Sequence, residues 1–199
     1  MALELLTPFT KVELEEEKKE TDRKQIGILG GNFNPVHNAH LVVADQVRQQ
    51  LGLDQVFLMP EFIPPHVDKK GTIDEKHRLK MLELAIEGVS GLSIEHIELE
   101  RQGISYTYDT MRLLTEQNPD VDYYFIIGAD MVDYLPKWHR IDELINLVQF
   151  VGVQRPKYKA GTSYPVIWVD EPLMDISSSM VRDFIQQGRL VIKPCPESR

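Results

Sequence analysis

The chain is predicted to be an α/β protein built on a doubly wound parallel sheet, and three observations say so. Short apolar runs bounded by turn residues alternate with amphipathic stretches along most of its 199 residues. The β–α–β order repeats, which implies parallel strands with right-handed crossovers and helices on both faces. One run, Tyr123 to Ile127, is apolar or aromatic at every position, as expected of a strand covered on both sides.

The elements follow in order. Residues 1–24 are set apart as an N-terminal extension, because Lys11 to Lys24 are nearly all charged with mixed sign. A solvated, flexible tail is expected there. Residues 25–199 read as one domain. Ile26–Leu29 is a strand, and 38–51 a helix closed by Gly52. Gln55–Met59 is a second strand. Pro60 to Gly71, with Pro64-Pro65, is a loop. A helix over 73–87 stops at Gly88. Ser93–Leu99 is predicted as a strand, and 107–117 as a helix ended by Asn118-Pro119. Asp122–Ile127 is the buried strand, followed by helical turns near 130–134 and 141–147. Phe150–Val153 and Val166–Val169 are strands, and Ser177–Gln187 is a last helix before Gly188.

Composition narrows the function. Hydrophobic residues make up 42%, with 12 Gly and 12 Pro, a globular balance. The 22 basic and 31 acidic residues leave a net charge of −9. That argues against a nucleic-acid partner, whose phosphates demand a basic surface. A small anionic substrate remains open, because a local site can differ from the average. The single Cys195 excludes an internal disulfide framework and a cysteine zinc cluster, and fits a cytoplasmic location. No apolar run is long enough to span a membrane, and no secretory leader is read.

The most informative segment is Gly30-Gly31-Asn32-Phe33-Asn34-Pro35-Val36-His37-Asn38-Ala39-His40. It joins the first strand to the first helix. Paired glycines permit positive φ and close backbone approach. His37 and His40 stand three apart and share a helix face. The first helical turn carries N–H groups and a partial positive charge. Imidazoles beside that end suit phosphate oxygens. The chain has no G-x-G-x-x-G and no P-loop signature, so a nicotinamide hydride enzyme and a P-loop kinase are not indicated. A second segment, Asp175-Ile176-Ser177-Ser178-Ser179-Met180-Val181-Arg182, opens the last helix with serines, which are common N-caps and phosphate ligands.

The first segment resembles the (G/T)xFxPxHxGH signature of the nucleotidyltransferase superfamily, and the second its ISSTxxR element. Further stretches resemble elements of the bacterial nicotinate-nucleotide adenylyltransferases. These are Arg101 to Thr110 (RxGxSYTxDT), Gly128-Ala129-Asp130 (GAD), Leu135-Pro136-Lys137-Trp138 (LPxW) and Gly152 to Pro156 (GVxRP). The resemblance runs through roughly residues 25–188. It departs at Ala39 for Gly, Asn34 for Asp, Ser179 for Thr, Val67 for the lysine of PPHK, and His139 for Tyr. The family's last helix has no counterpart in Leu190 to Arg199.

The resemblance implies a Rossmann-like sheet of the nucleotidyltransferase type. It implies transfer of the adenylyl group of ATP to nicotinate mononucleotide, with Mg2+ carried on the ATP phosphates. His37, His40 and Arg182 become catalytic candidates. His40 takes the transition-state role and His37 the phosphate, or the two exchange. With Arg182 they are pictured as a cationic pocket around the triphosphate. Gly30, Gly31, Phe33, His40, Gly128, Asp130, Ile176, Ser177, Ser178 and Arg182 are implied at ATP. Asn34, Thr107, Trp138, His139 and Arg155 are implied at the mononucleotide. There Trp138 offers a flat π surface for the pyridine ring, and backbone N–H groups near Thr107 and His139 offer donors to its carboxylate.

Two rivals differ in prediction. Another small adenylyl- or cytidylyltransferase, such as the phosphopantetheine type, would lack the SYTxDT and LPxW elements. A non-catalytic nucleotide sensor would lose a histidine or Arg182, and all three are present. Small-molecule partners are expected, with no nucleic acid and no membrane; a homo-oligomer is left open.

Overall fold

The apolar run Ile26 to Leu29 becomes part of an inner strand of a six-stranded sheet. β1 spans Lys24–Gly31, β2 Gln55–Pro60, β3 Leu92–Ile94, β4 Val121–Gly128, β5 Gln149–Gln154 and β6 Val166–Asp170. Their order across the sheet is β3-β2-β1-β4-β5-β6, and every pair is parallel. The helices are α1 Asn38–Gln50, α2 Glu75–Ile86, α3 Ile97–Arg101, α4 Thr107–Gln117, α5 Ala129–Val132, α6 Ile141–Leu144 and α7 Ser178–Gln186, with a 3₁₀ turn at Leu135–Lys137. This computed structural model describes residues 23–65, 73–154, 162–170, 174 and 176–189. The expectations for most of the charged extension, the His66–Lys70 loop, Arg155, Asp175 and Leu190 to Arg199 lie outside the described residues.

Side chains alternate across a strand, so each strand feeds two cores. Ile28, Phe125, Ile127 and Phe150 face one layer, where Met111 and Leu114 of α4 and Leu144 of α6 cover them. Leu29, Leu58, Ile126 and Val151 face the other, under Ala44 and Val47 of α1 and Leu82 of α2. Both layers are apolar, which explains why β1 and β4 show no polar alternation in sequence.

The two halves of the sheet diverge from the β1–β4 pair. Crossovers lead from β1 outward to β2 and β3, then return to β4 and proceed the other way. That reversal opens a crevice beyond the carboxyl ends of β1 and β4. The chain puts Gly30-Gly31 at one of those ends and Gly128 at the other.

Three local expectations change. Ser93–Leu99 is not one strand: β3 ends at Ile94 and Ile97–Arg101 turns into α3. The alternating apolar pattern there is overridden by side-chain bonds. The Glu95 carboxylate accepts the Ile97 N–H at 3.0 Å, and Glu98 turns inward to accept the Thr110 hydroxyl at 2.9 Å. Lys24, expected in the extension, already pairs with Val121 in the sheet. Ser177 precedes the last helix as its N-cap, accepting from the Met180 N–H at 3.2 Å. No helix among the described residues is long and apolar enough to cross a membrane.

Phe150 is 1% exposed and meets both Phe125 and Trp138 edge to face. Truncating it leaves a cavity at the base of the crevice. Phe150→Ala is expected to cost roughly 3–5 kcal/mol in urea denaturation. A loss below about 1 kcal/mol would contradict this packing.

Candidate active site

The turn from β1 into α1 is built by close approach. Neither Gly30 nor Gly31 adopts positive φ, contrary to the freedom read from the sequence; both continue β1. They are needed for space. A Cβ on Gly30 would lie 3.2 Å from Cζ of Phe125, and one on Gly31 3.3 Å from Cζ of Phe33. The left-handed residue is Phe33, at φ 46°. That conformation costs a non-glycine residue roughly 1–2 kcal/mol. Phe33 is 2% exposed, and burying a phenyl ring is worth roughly 1.5–3 kcal/mol. Burial therefore outweighs the strain.

Phe33 also supports a histidine pair. Its ring meets His40 edge to face at 5.1 Å, and His40 stacks on His37 at 3.8 Å between centroids. The His37 backbone N–H donates to Nδ1 of His40 at 3.2 Å. With Nδ1 occupied as an acceptor, the proton of the neutral ring resides on Nε2. Burial, and then the neighbouring His37, push the His40 pKa down to about 3. Burial lowers that of His37 as well. The pocket pictured as cationic is thus lined at His40 by a neutral ring offering an N–H, because stacked imidazoles taken out of water do not hold charge.

α7 is docked on this turn. The Ser178 hydroxyl donates to the Pro35 carbonyl at 2.8 Å. Arg182 donates to the Asn34 carbonyl at 2.5 Å and to the Ser179 hydroxyl at 3.0 Å. Segments far apart in the chain therefore meet at one corner of the crevice.

That crevice is a cavity of about 910 Å³. Of the residues singled out from sequence, Gly30, His37, His40, Gly128, Asp130, Ile176, Ser177, Ser178, Thr107, Trp138 and His139 line it. Gly31, Phe33, Asn34 and Arg182 do not; they form the supporting turn and its clamp. Asn34 is buried. Arg155 lies outside the described residues.

A Cβ on Gly128 would lie 2.6 Å from Oδ1 of Asp130, so a larger residue there would turn that carboxylate aside. Tyr106, Trp138 and His139 make part of the cavity wall aromatic. Trp138 is anchored edge to face on Phe125 at 5.9 Å and on Phe150 at 5.8 Å. It is thus a core side chain and a cavity side chain at once. Its indole N–H is buried without an acceptor among the described residues. The His139 ring lies 4.6 Å from that of Tyr106, which ties the 3₁₀ turn to the start of α4 and brings the peptides of Thr107 and His139 to one wall.

Sequence reading missed a polar cluster beneath the cavity. Arg78 is 1% exposed and donates to the Asn32 carbonyl at 2.9 Å. Glu98 is buried beside Ser105 and Thr110, and burial raises its pKa. Glu61 lines the cavity itself. Arg78 sits at a helical position that reads as surface, and nothing in its spacing marks it. Glu61 next to Pro60 and Pro64-Pro65 reads as loop.

The switch-point cavity, flanked by a histidine turn and a serine-capped helix, is that of a Rossmann-like protein of the nucleotidyltransferase type. A family model described as cytidylyltransferase-like matches residues 28–184. A probable nicotinate-nucleotide adenylyltransferase of Streptococcus pyogenes is 87% identical over 189 residues, covering 95% of this chain and 90% of the relative. Its counterpart in Streptococcus mutans is 85% identical over the same shares. The chain belongs to the cytidylyltransferase-like family and, within it, to the nicotinate-nucleotide adenylyltransferases. A solved Plasmodium falciparum nicotinic acid mononucleotide adenylyltransferase complexed with NaAD shares the fold, with a TM-score of 0.71 at 22% identity. That match covers 85% of this chain and 87% of the other.

His40 should remain neutral down to about pH 4, with its proton on Nε2. Nitrogen-15 NMR of the ring measures both. A His40 that titrates near 6.5, or carries its proton on Nδ1, would remove the basis for its assignment as a neutral donor.

Proposed function

We propose that this cavity binds ATP and nicotinate mononucleotide together and transfers the adenylyl group between them. A phosphate oxygen of the mononucleotide attacks the α-phosphorus of ATP. The new P–O bond forms as the bond to the β-phosphate oxygen breaks, giving nicotinate adenine dinucleotide and pyrophosphate. No covalent enzyme intermediate is required, because the attacking oxygen is already an anion. The observation that carries this reading is one cavity at the switch point that is lined both by the histidine turn with the serine-capped helix and by the aromatic residues Tyr106, Trp138 and His139.

The protein's part is alignment and charge stabilisation. His40 offers its Nε2–H to phosphate oxygens where negative charge grows toward the leaving pyrophosphate. His37, stacked on it, takes a neighbouring phosphate oxygen. Ser177, Ser178 and the start of α7 bind the far end of the triphosphate. Gly128 and Asp130 form the nucleoside side, where the Asp130 carboxylate can accept ribose hydroxyls. Arg182 acts through the turn: it holds the Asn34 carbonyl and so sets where the histidines stand. Trp138 stacks on the pyridine ring, and the peptide N–H groups of Thr107 and His139 receive its carboxylate. Arg155 is assigned to the mononucleotide phosphate.

Magnesium enters with ATP as part of the substrate. Among the described residues no three His, Cys, Asp or Glu side chains group to hold a metal, whereas triphosphate oxygens are the hard donors it prefers. A cytoplasmic location goes with this reading, since ATP and a free mononucleotide are the reactants.

Pyrophosphate release from MgATP with nicotinate mononucleotide tests the activity directly; none above a no-enzyme control would refute it. His40→Ala should lower kcat by roughly 10²–10³, the usual effect of losing one transition-state donor, with a smaller change in KM for ATP. An unchanged kcat would refute the role. Trp138→Ala should chiefly raise KM for the mononucleotide. If only KM for ATP rose, the stacking assignment would fall.

A further inference from the structure

Glu61 is an acid where the substrates are anions. It follows β2, and its backbone N–H donates to the Gly31 carbonyl at 3.0 Å. The next residue's N–H donates to the Ser105 hydroxyl at 2.9 Å, and the Ser105 N–H donates to the Ile63 carbonyl at 2.9 Å. These bonds lock Glu61 between the phosphate turn and the start of α4. Its side chain lines the cavity on the side of Ser105, Tyr106 and Thr107. A surface loop would have let this carboxylate reach water; these three bonds hold it at the wall.

Among the described residues, charged groups reach it from several elements. From α2, Arg78 approaches, itself held by Asp74 and Glu75. From α3, the buried Glu98 approaches, with Arg101 and the hydroxyls of Ser105 and Thr110 acting on Glu98. His37 and His40 lie toward α1, and Asp130, Lys137 and His139 line the same cavity. Burial and then Glu98 raise the Glu61 pKa to about 7, while Arg78 opposes them. The carboxyl is thus divided between its two forms at neutral pH.

We propose that Glu61 couples binding of the anionic mononucleotide to the uptake of one proton, so that its carboxyl is neutral whenever the substrate is bound. The proton comes from solvent and settles on the carboxylate; no bond of the substrate changes. The physical reason is twofold. The substrate adds negative charge close to the carboxylate, and it displaces the water that still solvates it. Both favour the neutral acid. Neutralisation is nearly free at pH 7. It becomes harder by one factor of ten for each pH unit above the free-state value. Affinity for the mononucleotide must then fall as pH rises, and Gln at this position, always neutral, must remove that fall.

The inference rests on the activity proposed above, and the test separates the two. KM for nicotinate mononucleotide is measured from pH 6 to 9 at saturating MgATP for wild type and Glu61→Gln. The ratio of wild-type to variant KM is expected to climb about tenfold or more between pH 7 and 9. Taking the ratio cancels titration of the substrate phosphate. Parallel profiles with normal turnover overturn this inference alone; absence of turnover in wild type overturns the activity and this inference with it. Should Glu61→Gln fail to fold, calorimetry on wild type decides. Nicotinate mononucleotide is bound at pH 8 in buffers of different ionisation enthalpy. Uptake of close to one proton supports the coupling, and no uptake overturns it.

Discussion

The turn between β1 and α1 depends on carbonyls gripped from outside. Arg78 of α2 holds Asn32, Arg182 of α7 holds Asn34, and Ser178 holds Pro35. Three of the four carbonyl oxygens of residues 32–35 are thereby bonded to side chains from α2 and α7, two helices far apart in the chain. The turn needs them. It contains a left-handed Phe33, and its own peptides do not form a regular ladder beyond Gly31. Hydrogen bonds from charged donors are worth roughly 1.5–3 kcal/mol each, enough to outweigh the strain at one left-handed residue. Everything the histidines do presupposes this clamp, because His37 is the residue at which the turn ends and the helix begins.

The clamp changes how an arginine near a phosphate site is understood. From sequence, Arg182 is a cation one turn into a serine-capped helix, and a direct phosphate contact is the simplest reading. In the fold its guanidinium is already engaged with a carbonyl and a hydroxyl. Distance along the chain hides this kind of bond: the partners Arg182 and Asn34 are 148 residues apart.

Much of the architecture was legible because it rests on local patterns. The runs Ile26–Leu29 and Asp122–Ile127 could only be covered strands, and Gly52, Gly88 and Gly188 do sit at positive φ just past their helices. The crevice followed from parallel order alone. Legibility failed where tertiary bonds compete with pattern. Ile97–Arg101 alternates like a strand, yet Glu98 is drawn under α4 and the backbone coils to deliver it. The paired glycines permit positive φ and close approach on paper; only the close approach is realised, with Phe125 and Phe33 packed tightly over them in an extended strand. Charge was the least readable property. Two histidines at helical spacing look cationic on paper, and only their stacking and burial show otherwise.

An acidic protein of net charge −9 that handles two polyanions cannot rely on long-range attraction. Its site must be favourable at short range, and the composition of the walls shows how. His40 is neutral; among the described residues, the donors around it are imidazole N–H groups and the serine hydroxyls and peptide N–H groups at the start of α7, while the cation Lys137 lines the cavity beside Trp138. Neutral donors hold a ground-state triphosphate less tightly than an array of fixed cations would. They lose less by that than it first appears, since interactions that grow only as charge develops raise kcat rather than merely lowering KM. A weakly charged histidine turn also tolerates an acid such as Glu61 in the same cavity. A strongly cationic corner would draw that carboxylate's pKa down and fix it ionised beside an anionic substrate. The neutral histidines and the proton held near Glu61 are therefore two consequences of one choice, a site that is buried before it is charged.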